Sequence, residues 1–181
     1  MAGESPIRHA ERGDGSPLIH LQPLPLLGRA HELLARHHRV VAVECEPDAA
    51  IAIERLGVAD FDLLATSETC PAALMIALSA RERVRALVLE SPVAPPPDLR
   101  PRLHELTTPT LVLLGTADGA EAQQAGRAYA DLMPSAHLVY VYDAGAAIGR
   151  DRPEAFAEVV ADFLERHEAF VISRTATVIH P

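Results

Sequence analysis

Lysine is absent from this 181-residue chain; all 16 basic residues are arginine. That excludes lysine Schiff-base chemistry, lysine-bound pyridoxal phosphate included. Tryptophan is missing too and aromatics make up only 4%, which removes the platforms on which single-stranded nucleic acid stacks. Two cysteines, Cys45 and Cys70, are too few for a disulfide framework or a zinc cluster, so no metal is expected and a reducing cytoplasm is the default. No apolar run approaches the ~20 residues that span a bilayer. The start, Met1-Ala2-Gly3-Glu4-Ser5, has no basic segment leading into an apolar one, so no signal peptide is expected. Positive charge is scarce as well: the net charge of −9 argues against binding nucleic acid or an anionic membrane.

What remains is a globular composition, 49% hydrophobic and 23% charged, of a length that fits one domain. Arginine in place of lysine, with much alanine and proline, points to a GC-rich bacterial source. Apolar runs and helical periodicities alternate along the chain. Ile7–Glu11 and Leu18–Gln22 read as strands around Gly13-Asp14-Gly15, a turn suited to a hairpin. Leu26, Leu27, Ala30, Leu33 and Leu34 predict a helix running to about His37. Val40–Glu44, Asp62–Ala65, Arg85–Glu90, Thr110–Leu114 and His137–Tyr142 read as buried strands. Helices are expected from Ala49 to Leu56, after Ser67, around Ala125–Met133, and from Pro153, where Phe156, Val159, Val160, Phe163 and Leu164 share a face. A proline-rich stretch between Ser91 and Pro109 leaves room for one short helix near Asp98–Leu106. The pattern predicts a three-layer α/β/α sandwich with a mostly parallel sheet.

Ligands in such sheets bind beyond the carboxyl ends of the strands. There the segment Ala65-Thr66-Ser67-Glu68-Thr69 carries a serine on a sharp strand-to-helix turn, the layout of a nucleophile elbow without its two glycines. Further stretches follow in a telling order. They are Gly13-Asp14-Gly15-Ser16-Pro17-Leu18, Arg83–Leu89, Pro109–Asp118, and Asp143-Ala144-Gly145 with Asp151-Arg152-Pro153-Glu154. Together they resemble the α/β-hydrolase family over about Ile7 to His167.

The resemblance implies specific roles. A serine needs an imidazole to take its proton, a carboxylate to orient that imidazole, and backbone N–H groups for the oxyanion. Ser67 aligns with the nucleophile and Asp118 with the acid; Leu24 and Glu68 are the oxyanion-hole candidates. The family's histidine would follow Gly145, where this chain has Ala146. Gln22-Pro23 replaces the family's His-Gly, and proline donates no N–H. Thr69 stands where close packing favours glycine. The lid shrinks to the Ser91–Pro109 stretch, leaving a shallow, wet pocket. Loss of the base alone costs about six decades in kcat, on the order of 8 kcal/mol.

The expectation is therefore a lidless, degenerate member, non-catalytic as a serine hydrolase. It would act as a binding or scaffold protein for a small acyl or apolar ligand or a protein partner, with no cofactor. The alternative is a weak esterase-type enzyme using Ser67 with a non-standard base. His104, on the lid remnant, is the candidate base; the competing reading is a solvated surface residue. Glu44, Glu46, Glu68 and Glu90 could gather carboxylates at the pocket, or be solvated loop residues, and Cys45 reads as a plain thiol. Asp118 could equally cap a helix or bond its own loop. Residues 1–168 form the expected single domain. The tail 169–181 has strand-like composition, and could add a strand in its own chain or build a homodimer by pairing with a neighbour.

Overall fold

The computed structural model describes residues 8–45, 49–170 and 179–180. The elements in chain order are β1 (His9–Arg12), β2 (Ser16–Gln22), α1 (Arg29–Leu34), β3 (His38–Glu44), α2 (Ala49–Arg55), β4 (Phe61–Thr66), α3 (Cys70–Ser79) and β5 (Val84–Glu90). Then come β6 (Thr110–Gly115), α4 (Ala120–Leu132), β7 (Ala136–Val141), α5 (Ile148–Asp151), α6 (Pro153–Arg166) and β8 (Ile179–His180). Short 3-10 segments occupy Ser67–Thr69, Arg100–Glu105 and His167–Ala169. The strands form one sheet in the order β1-β3-β2-β4-β5-β6-β7-β8. All pairs are parallel except β1 with β3.

Alternation along the buried strands divides the core into two layers. Ile19, Val41, Leu63, Leu87 and Val112 face α2, α3 and α4. Leu18, Val40, Leu64, Val88 and Leu111 face α1, α5 and α6. The strand centres are fully buried, which is why they read as continuous apolar runs rather than alternating ones. Asp62, in β4, is 2% exposed and takes a hydrogen bond of 2.8 Å from Arg85 Nη2 on the next strand.

Several expectations need correction. β1 and β2 are not a hairpin: β3 lies between them, and β1 runs antiparallel to β3. Gly13 and Gly15 are there because the link crosses the turn into β3 at contact distance. A Cβ on Gly13 would lie 2.2 Å from His38 O, and one on Gly15 2.0 Å from His37 O. α1 starts at Arg29 rather than Leu26, since the chain turns tightly at Pro25, with Leu26 N–H donating to Leu24 O at 2.8 Å, and is extended at Gly28; Leu26 is left 68% exposed. The Arg100–Glu105 segment does not cover the carboxyl ends of the strands. Leu99, Leu103 and Leu106 anchor it in the layer with α3 and α4, and Glu105 pairs with Arg81 just beyond α3. α5 carried no sequence signal, being a single turn. Of the tail, Ile179–His180 pair with Tyr140–Val141 of β7 in the same chain; 171–178 and 181 lie outside the described residues.

Candidate active site

β4 ends at Thr66 and the chain turns sharply at Ser67, whose φ is +43°. A non-glycine residue there is strained by about 1–3 kcal/mol, and the turn projects the serine off the carboxyl edge of the sheet. Thr69 replaces the expected glycine and holds the turn together. Its Oγ1 accepts from Thr66 N–H at 2.9 Å and lies 2.9 Å from both the Leu21 and Thr66 carbonyls, either of which takes its proton. A hydroxyl thus ties the elbow to β2 where a glycine would have allowed close packing.

Ser67 opens onto a cavity of about 560 Å³ whose wall includes Gln22, Leu24, Leu26, Glu68, Glu90, Ala146 and Phe156. Leu24 is 53% exposed and Glu68 is exposed; both stand at the rim. Ala146 is in the same cavity wall as Ser67. Ser67 Oγ makes no hydrogen bond among the described residues. Asp118 does not line this cavity. Its Oδ2 accepts from Ser91 Oγ at 2.8 Å and from Gly115 N–H at 2.9 Å, so it fastens the end of β6 to the turn after β5. The loop carrying Ala146 is positioned by Gly115, where a Cβ would lie 2.0 Å from Ala144 O. His104 is exposed on its 3-10 segment and does not line the cavity.

Two imidazoles that do line it are His20 and His31. Gly28 N–H donates to His31 Nδ1 at 2.9 Å, which puts the proton of a neutral ring on Nε2. That proton goes to His20 Nδ1 at 2.8 Å. Gln22 Nε2 lies 2.8 Å from His20 Nδ1, and Gln22 Oε1 accepts from Leu26 N–H at 3.0 Å. By this tautomer chain His20 carries its proton on Nε2, which is buried and hydrogen-bonds to nothing among the described residues. Burial lowers the pKa of both rings, and each ring's charge would oppose the other's at His20, so both stay neutral. The Gln22 to Gly28 loop, which carries Leu24, hangs on this network.

Glu90 is the second group whose role the sequence did not show. It ends β5 opposite Thr66 and is 4% exposed. Its Oε1 accepts from Gly149 N–H at 2.8 Å, with the Ile148 N–H also directed at the carboxyl. Burial pushes its pKa up to about 7 against these hydrogen bonds, helped by Asp118 and Asp151. Cys70, beneath the elbow, is a buried thiol raised by burial and then by Glu90. Among the described residues no group of three or more His, Cys, Asp or Glu could hold a metal ion, and no helix is long and apolar enough to cross a membrane.

Comparison with family models and with curated proteins finds no match. Solved structures do match. MGS-MChE2, an α/β-hydrolase enzyme from the metagenome of sediments of the lagoon of Mar Chica, Morocco, superposes with a TM-score of 0.78 over 90% of this chain and 97% of that one at 18% identity. The chain has the α/β-hydrolase fold. A thermophilic esterase from Thermogutta terrifontis gives 0.78 over 90% and 94% at 16% identity. A predicted CIB-like hydrolase from Thermoplasma acidophilum gives 0.71 over 86% and 90% at 18% identity. At such identities the likeness speaks for the fold alone. Ser67 follows β4, Asp118 follows β6 and Ala146 lies in the loop after β7.

Proposed function

We propose that this α/β-hydrolase-fold protein is a binding protein without serine-hydrolase catalysis, holding a small apolar molecule, acyl compounds among them, beside Ser67. The observation that carries the reading is that Ala146 lines the same cavity as a serine whose hydroxyl has no hydrogen-bond partner among the described residues. The loop after β7 brings alanines, Ala146 and Ala147, to the cavity wall rather than an imidazole, and Asp118 is bonded to Ser91 and Gly115. The exposed leucines at the rim favour hydrocarbon over a polar substrate.

The test is direct. The protein should bind a fluorescent apolar probe that short-chain acyl compounds displace, while neither reacting with a fluorophosphonate nor turning over p-nitrophenyl esters. Ester turnover lost in Ser67→Ala would overturn the reading. One observation favours a second reading, an atypical esterase: His20 and His31 share the cavity with Ser67. Against it, both nitrogens of His31 and Nδ1 of His20 are already engaged. In that case Ser67-dependent turnover would also fall in His31→Gln.

A further inference from the structure

Glu90 is a buried acid without a cation. Buried carboxylates are paired with a positive group or give up their charge. Asp62, as deeply buried, has Arg85. Glu90 forms no ion pair among the described residues. The arginines at the cavity rim are engaged elsewhere, Arg29 with Glu32 and Glu154, and Arg150 with Asp151. The charges that act on Glu90, Asp118 and Asp151, are negative as well. The imidazoles of the same wall, His20 and His31, are neutral and bonded to each other. Independently, Ser67 Oγ of the same lining has no hydrogen-bond partner among the described residues, and it can accept from an ammonium where the His20 Nε2–H, itself a donor, cannot. Around them the wall is hydrocarbon from Leu24, Leu26, Ala146, Ala147 and Phe156.

We propose that the cavity binds a small apolar primary amine as its alkylammonium ion, the nitrogen against the Glu90 carboxylate and Ser67 Oγ and the hydrocarbon along Leu24, Leu26 and Phe156. The inference rests on the reading of this cavity as a binding site. An ammonium ion donates three N–H bonds and offsets the repulsion among Glu90, Asp118 and Asp151 in a place where water screens little. An alcohol of the same length gains only the apolar contact, and a carboxylate adds a further negative charge. The proton balance is explicit. Below about pH 7 Glu90 mostly carries a proton; when the alkylammonium docks, that proton leaves to solvent and a carboxylate–ammonium pair remains. The amine is charged throughout, its own pKa lying near 10 like that of a lysine side chain.

The experiment is calorimetry of the full chain with hexylamine, hexanol and hexanoate at pH 8 and pH 6, in two buffers of different ionisation enthalpy. Hexylamine should bind at least about tenfold tighter than hexanol at pH 8. That advantage should fall by about tenfold at pH 6, where binding should release up to about one proton. Hexanoate should bind weakest. In Glu90→Gln, which can still accept from Gly149 N–H, the amine should drop to the level of the alcohol. The proposal is overturned if the amine is no tighter than hexanol at pH 8, if its affinity ignores pH, or if Glu90→Gln keeps the preference. Hexanol binding without an amine advantage would leave the apolar cavity standing and remove the amine. Binding of none of the three would remove both. Should the variant not fold, proton release by the wild type decides alone.

Discussion

Replacing Glu90 by glutamine should make the protein more stable at alkaline pH. The side chain keeps its shape and an oxygen to accept from Gly149 N–H, but no longer has a charge to desolvate. Burial raises the carboxyl from its ordinary 4.5 to about 7. Between those values the folded chain holds a proton that the unfolded chain has released, so wild-type stability falls as pH rises through that window and levels off above it. The rise corresponds to about 3 kcal/mol. Urea unfolding at intervals from pH 4.5 to 8.5 tests this, because groups not coupled to Glu90 titrate alike in both proteins and cancel in the difference. Relative to wild type, Glu90→Gln should gain about 3 kcal/mol from the acid to the alkaline end. A difference that stays within about 0.5 kcal/mol across the range, or slopes the other way, would refute the argument.

Other substitutions probe the frame of the site. Ser67→Gly should raise stability by about 1 kcal/mol in thermal unfolding, because glycine removes the penalty at φ +43°; a loss would mean that the Ser67 side chain contributes more than the strain costs. Gly115→Ala should cost about 3 kcal/mol or more, since the new methyl meets the Ala144 carbonyl, and a change below about 1 kcal/mol would show that the loop moves aside easily. His20 and His31 have lowered pKa values, so the unfolded chain takes up their protons first and stability is lost as pH drops below about 6.5. His31→Gln should flatten part of that acid limb in melting curves, whereas parallel curves would count against a strained neutral pair.

Much of the fold was legible because its signals are local. Val40–Val43 and Leu111–Leu114 are buried on both faces, and that alone makes continuous apolar runs. The elbow was legible because a strand, a serine and an alanine-rich helix stand next to one another. Ser67, Leu24, Glu68 and Ala146 do converge on one cavity. What the sequence hid depends on distant partners. Glu90 looks like the polar end of a strand until Ile148 and Gly149, 59 residues away in the latter case, close over it. His20, Gln22 and His31 form a network only because β2 and α1 meet at that point; the spacing of His20 and Gln22 on one strand face was the available hint. His104 stands away from the cavity because Leu99, Leu103 and Leu106 anchor its segment in the far layer, against the distant α3 and α4.

The first strand has a consequence for association. An open sheet offers unpaired N–H and C=O groups at its rim, and a long flat rim invites another chain to add itself. β1 closes this rim with four residues, running against its neighbour, three of them charged or titratable. Glu11 is drawn back to Arg39 and Arg12 to Glu32, which sets guanidinium and carboxylate groups along the border. Changes that put leucine or valine at Glu11 and Arg12 would make this border apolar and favour its pairing with another chain. At this border, charged side chains resist self-assembly more than they add to folding stability.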